Sequence, residues 1–181
     1  DGIIDETHET RPNSYYGISK LTAKNITELY CYDNNIKWYW LRLFPMFGER
    51  ESYNWFIPSL IKKLTENNNF DMTKGEQIYS YLYVEDFANW MALLIESNAS
   101  RGVYNICSKS NLIALKDLAL LIVKEIGLEK STINIGALPY RENQPMLMAG
   151  KIDKLEKELG ELHETSFDYN LKKVVNYFVK S

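Results

Sequence analysis

Tyr16 and Lys20 stand four positions apart in "NSYYGISK", a spacing that turns a phenol and an ammonium to one side of a helix. A phenol ionises near pH 10, so acid/base work near neutrality requires stabilising the phenolate by about three pH units, roughly 4 kcal/mol. An ammonium about 4 Å away supplies only about 1 kcal/mol in bulk water, but about 4 kcal/mol in a partly enclosed site. The pair therefore becomes a catalytic unit only inside a cleft. Spacing alone does not select it, because Tyr169 and Lys173 repeat it near the end of the chain. That second pair reads as an ordinary exposed one.

The elements that must position these residues follow from the apolar pattern. From Ser14 to about Asp33, Ile18, Leu21, Ile26 and Leu29 share one side of a helix drawn at 3.6 residues per turn. That stripe is expected to be buried, with Tyr16 and Lys20 pointing away from it. The preceding "DETHETRPNS" reads as an extended connector leading to a cap at Asn13 or Ser14. "IKWYWLRLF" reads as a buried strand ending at Pro45 and Gly48, and "WFIPSLIKKLTENN" as a short helix. "QIYSYLYV" is the next strand, and Glu85 and Asp86 open the helix "FANWMALLIES". A strand "GVYNIC", a helix "LKDLALLIVKEIG", a possible strand "STINIG" and two amphipathic helices, "KIDKLEKELG" and "FDYNLKKVVNYFVK", complete the pattern. This alternation predicts an α/β protein.

Composition excludes several classes of function. Twenty-one basic against 24 acidic residues, with no basic block, argue against a nucleic-acid partner. No apolar run reaches the roughly 20 residues that a membrane helix requires, and no signal segment opens the chain, so a cytoplasmic location without membrane association is expected. Cys31 and Cys107 are too few and too separated for a disulfide framework or a zinc site, and read as core thiols. His8 and His163 read as solvated surface, leaving no expected metal ligand. The chain opens on Asp1 rather than Met and looks like a piece of something longer.

Five blocks in order, "SYYGISKLTAKN", "LRLFPMFGERE", "GEQIYSYLYVEDFANWM", "GVYNICSKSN" and "YRENQPMLMAGKIDKLEKELG", resemble the later half of the extended short-chain dehydrogenase/reductases, the family of nucleotide-sugar epimerases, dehydratases and ketoreductases. The resemblance implies the carboxyl-terminal part of a Rossmann-like doubly wound fold plus a small α/β substrate-binding domain. Residues 1–50 would belong to the dinucleotide-binding domain and 51–181 to the substrate-binding region, with 78–107 either part of that region or a return to the Rossmann sheet. It also implies NAD or NADP as cofactor in the full-length parent, a nucleotide-sugar substrate, and a homodimer formed through the Tyr16 helix, with Leu29 and Tyr30 at the contact.

Residue by residue, Tyr16 matches the family's acid/base tyrosine and Lys20 the lysine that holds the nicotinamide ribose and lowers the tyrosine's pKa. Tyr15 falls where the family varies and reads as packing. Leu43 and Phe44 lead into the loop that lies beside the nicotinamide, at the carboxyl end of the sheet. Arg141 matches an arginine that grips the substrate diphosphate, against the alternative of an exposed loop arginine. Two anchors depart from the pattern. Pro45 replaces an asparagine that donates a hydrogen bond to the substrate phosphate, and offers no N–H, while Tyr79 and Ser80 replace an Arg-Asp pair.

None of the nine glycines has a neighbour close enough for the pyrophosphate-binding turn, so the chain by itself is expected to be inactive. The leading expectation is an enzyme of the epimerase/dehydratase/ketoreductase type. The alternative is a non-catalytic relative that binds a metabolite or a protein.

Overall fold

The computed structural model describes residues 2–66, 69–128 and 133–181. The connector holds a short strand, β1 (Gly2–Ile4), where an extended loop was expected, because its backbone pairs in parallel with the distant β10 (Leu147–Gly150). Helix α1 (Tyr15–Asp33) follows, capped by the Ser14 hydroxyl, which accepts from the Gly17 N–H at 3.1 Å. The aromatic run forms β2 (Tyr39–Leu43), paired in parallel with β7 (Gly102–Ile106) from Tyr39 opposite Gly102 to Leu43 opposite Ile106.

The predicted strand "QIYSYLYV" divides in two. Its first part, β5 (Ile78–Ser80), joins a four-stranded sheet in the order β1–β10–β5–β8, where β8 is Leu112–Ala114 and runs antiparallel to β5. Its second part, β6 (Leu82–Tyr83), pairs in parallel with β3 (Met46–Phe47). The switch falls at Tyr81, whose N–H donates to the Asn111 carbonyl at 3.1 Å, while the next N–H donates to the Pro45 carbonyl at 3.0 Å. A short parallel pair, β4 (Phe70–Met72) with β9 (Ile133–Ile135), completes the strands. Residues 131 and 132 of the predicted "STINIG" strand lie outside the described residues.

The remaining helices are α2 (Phe56–Thr65), α3 (Val84–Glu96), α4 (Leu115–Ile126), α5 (Asp153–Leu159) and α6 (Phe167–Lys180). α2, α4 and α6 each turn an apolar face inward, and Leu60, Ile61, Leu118, Ile122 and Val174 among them are fully buried. Each such side chain contributes about 1.5–3 kcal/mol through the water it leaves. A second core joins β2, β7, α3 and α5 around Trp90, Tyr104, Ile106 and Leu155. Both cysteines are buried thiols, as expected, and burial pushes Cys107 up to about 12.

One prediction about α1 does not hold. Its apolar stripe is exposed rather than buried: Ile18, Ile26 and Leu29 are each at least half exposed, and Cys31 is the helix's one buried residue. The periodicity reports a face suited to burial, and no element of the described chain covers it.

Candidate active site

Tyr16 and Lys20 lie in the first two turns of α1. Two features of the sequence set that helix start: Ser14 caps it, and Gly17 lets Pro12 approach, since a Cβ there would sit 3.0 Å from the proline ring. The Lys20 ammonium stands over the Tyr16 ring, 5.4 Å from its centroid, so the two side chains converge. Tyr16 is 73% exposed. The enclosure that the chemistry requires is therefore not formed by the described residues around the pair.

The connector ahead of α1 is tied to the sheet. Arg42 of β2 donates to the carbonyls of Glu6 and His8 at 3.3 and 3.4 Å, and the Glu6 carboxylate accepts from the Asn105 N–H at 2.8 Å. An open cavity of about 560 Å³ beside this connector is lined by Asp5, Thr7, Lys151 and Lys154 among others, none of them a predicted site residue.

At the end of β2, Leu43 is 52% exposed, whereas Phe44 is buried against Gly150 and Cys107. Of these two, Leu43 is the one with a side chain open to solvent. Pro45 has no N–H, and its carbonyl accepts from Leu82. That position is a strut between β2 and β6.

Arg141 is exposed on the loop before β10, close enough to Tyr79 for its guanidinium to favour the phenolate. Burial, the larger effect, still raises the Tyr79 pKa. The Tyr79 hydroxyl accepts from Gln144 Nε2 at 2.6 Å and donates to the Pro145 carbonyl at 3.0 Å.

Two features escaped the sequence reading. Lys173, read as half of an ordinary exposed pair with Tyr169, donates instead to the Tyr83 hydroxyl and to Glu85, each at 2.8 Å, and lies 3.3 Å from Glu49. The bond to Glu85 is the main cause that raises its pKa. This clasp joins α6 to the start of α3 and to the loop after β3, while Tyr169 stays exposed. The i, i+4 spacing was misleading because Lys173 reaches across the fold rather than along its own helix. The second feature is Glu51, whose burial pushes its carboxyl up to about 7 and whose Oε2 has no hydrogen-bond partner. Nothing in "GERES" marks it, since a loop glutamate reads as solvated. Among the described residues no group of His, Cys, Asp and Glu could hold a metal ion, and no helix is long and apolar enough to cross a membrane.

The parallel β2–β7 pair, the mixed sheet and the packed helices define an α/β chain with the carboxyl-terminal part of a Rossmann-like doubly wound fold and a smaller α/β region beside it. The profile of the NAD dependent epimerase/dehydratase family matches residues 2–107, more than half of the chain, and the chain belongs to that family.

It is 28% identical over 137 residues to the CDP-abequose synthase of Salmonella muenchen, a match covering 75% of this chain and 46% of that protein. It is 23% identical over 182 residues to the dTDP-glucose 4,6-dehydratase of Shigella flexneri, covering 98% of this chain and 50% of the relative. The chain thus spans about half the length of these curated relatives. Among solved structures, UDP-glucuronic acid 4-epimerase from Bacillus cereus, in complex with UDP-glucuronic acid and NAD, superposes with a TM-score of 0.89 at 23% identity, covering 99% of this chain and 57% of the other. A Streptomyces venezuelae dTDP-glucose 4,6-dehydratase with NAD bound gives 0.88 at 18% identity, covering 99% and 55%.

Proposed function

We propose that the full-length protein carrying this chain is an NAD(P)-dependent enzyme that transforms the sugar of a nucleotide sugar, as an epimerase, dehydratase or ketoreductase. The observation that carries this reading is the convergence of Tyr16 and Lys20 on one exposed turn of α1, in a chain of this family. The names of the relatives support the substrate class, and the NAD in the related structures supports the cofactor.

The residues present fit one end of a nicotinamide dinucleotide. Tyr16 and Lys20 are free to meet its ribose, and exposed Leu43 offers an apolar surface to the nicotinamide. The pyrophosphate end finds no counterpart here, since among the described residues no helix begins in a glycine-rich turn: the caps are Ser14, Trp55, Tyr83, Ala114, Ile152 and Ser166. When bound, the nicotinamide supplies a hydride acceptor and donor.

The chain's own residues do the rest. The Tyr16 phenolic oxygen takes the proton from a sugar hydroxyl and returns it, the Lys20 ammonium stabilises the phenolate, and Arg141 binds the substrate diphosphate. Residues 1–50 belong to the dinucleotide-binding domain and 51–181 to the substrate-binding region, with 78–107 returning to the Rossmann sheet, a return that the pairing of β7 with β2 supports, and the exposed apolar face of α1, including Leu29 and Tyr30, is a dimer contact.

The test incubates the full-length protein with UDP-, dTDP-, CDP- and GDP-sugars and NAD or NADP, following nicotinamide absorbance and product identity. Turnover of at least one sugar is expected. Binding of a sugar nucleotide with no turnover of any would overturn the enzymatic reading in favour of a non-catalytic binding protein.

A further inference from the structure

The loop that carries Arg141 is fastened to β5 and the residue stretch just before it at several points. The Glu76 N–H donates to the Tyr140 hydroxyl at 3.1 Å, and that hydroxyl donates to the Glu76 carboxylate at 3.1 Å. The Ile78 N–H donates to the Met146 carbonyl at 2.8 Å, and the Gln144 N–H closes a turn onto the Arg141 carbonyl at 3.1 Å. Tyr79 completes the fastening by accepting from Gln144 Nε2 at 2.6 Å and donating to the Pro145 carbonyl at 3.0 Å. Its hydroxyl has spent its one proton on the loop, so it has none to give a ligand. Arg141 itself is exposed and, among the described residues, forms no ion pair.

A free guanidinium on a mobile loop loses affinity to the cost of ordering that loop, whereas one on a pinned loop meets its anion already in place. Guanidinium is also the side-chain group whose planar fork matches a phosphate through two parallel hydrogen bonds. Taken with the nucleotide-sugar reading, on which this inference rests, we propose that Tyr79 is a positioning residue for Arg141: it holds the 141–145 loop so that the arginine meets a nucleoside diphosphate. The tyrosine at position 79 then does not leave the diphosphate without a cation. It leaves the electrostatic contact to the loop arginine and supplies the rigidity that the loop needs.

The test is a double-mutant cycle on the full-length protein, with UDP, dTDP, CDP and GDP as probes in calorimetric titrations. Arg141→Ala is expected to weaken binding of the preferred nucleotide about tenfold or more, the scale of a lost charge-assisted hydrogen bond. Tyr79→Phe, which keeps the ring, is expected to weaken it roughly three- to tenfold in the Arg141 background and to add nothing in the Arg141→Ala background. Its kcat should be unchanged while KM rises. Independently of ligand, the amides of residues 142–144 and 146 should exchange faster in Tyr79→Phe than in the wild type.

Nucleotide binding with additive losses, or unchanged amide protection in Tyr79→Phe, overturns the positioning role while leaving the nucleotide-sugar reading intact. Wild-type protein that binds none of the four nucleotides overturns both.

Discussion

Glu51→Gln should make the protein more stable at pH 8 while changing little at pH 3.5. Burial moves the Glu51 carboxyl from its ordinary 4.5 to about 7, and its Oε2 accepts no hydrogen bond. The folded state therefore keeps this proton across a window in which the unfolded state has released it. Because the folded state binds more protons there, stability falls as pH rises through that window and levels off above it. Fully realised, the displacement corresponds to about 3 kcal/mol. Solvent that reaches a half-buried carboxyl screens part of it, leaving about 1–2 kcal/mol. Glutamine has no proton to lose, so the variant should escape that loss. In urea titrations the variant and wild type should match within error at pH 3.5, below the unfolded pKa, and the variant should gain about 1–2 kcal/mol at pH 8, or about 2–8 °C in Tm. An equal difference between the two proteins at both pH values would refute the burial of Glu51. Direct titration of the Glu51 carboxyl by NMR offers a check that does not depend on unfolding, with a midpoint near the ordinary carboxylate range contradicting the account.

Other expectations concern the scaffold. Gly150→Ala should destabilise by about 1–3 kcal/mol through overpacking, because its Cβ would lie 2.6 Å from the Phe44 ring. An unchanged denaturation midpoint would count against the contact. Leu118→Ala, in the fully buried centre of α4, should cost about 2–5 kcal/mol by the same assay. A smaller loss would mean that this core is looser than described. Lys173→Met should lower Tm because it breaks the clasp with Tyr83, Glu85 and Glu49, whereas Lys172→Met, which loses only a single ion pair with Glu125, should leave Tm nearly unchanged. Equal effects would contradict the distinction.

The longer elements were legible because their signals are local. α1 was announced by Ser14 and its periodicity, α4 by apolar spacing that ends at Gly127, and β2 by an aromatic run that stops at Pro45. What could not be read depends on distant partners. β1 and β10 exist through each other, and "QIYSYLYV" divides because Tyr81 and Leu82 find different acceptors. The α1 stripe shows the limit most clearly, since amphipathic spacing marks a face fit for burial but not whether anything in the chain covers it.

The candidate site divides in the same way. Tyr16 and Lys20 were readable from spacing and family resemblance, and their side chains converge as that spacing implies. Glu51 and the Lys173 clasp were not readable, because burial of a loop carboxylate and an ion cluster spanning three elements leave no trace in neighbouring residues. Tyr79 was visible only as a lost arginine. Its bonds to Gln144 and Pro145 give it a role that no local pattern announces.

The most direct measurement is the steady-state rate of the full-length protein on its best sugar nucleotide, wild type against Tyr16→Phe. The account predicts a fall in kcat of about a hundredfold to ten-thousandfold, the usual worth of a positioned acid/base, with nucleotide affinity retained. A Tyr16→Phe enzyme that turns over at the wild-type rate would contradict it.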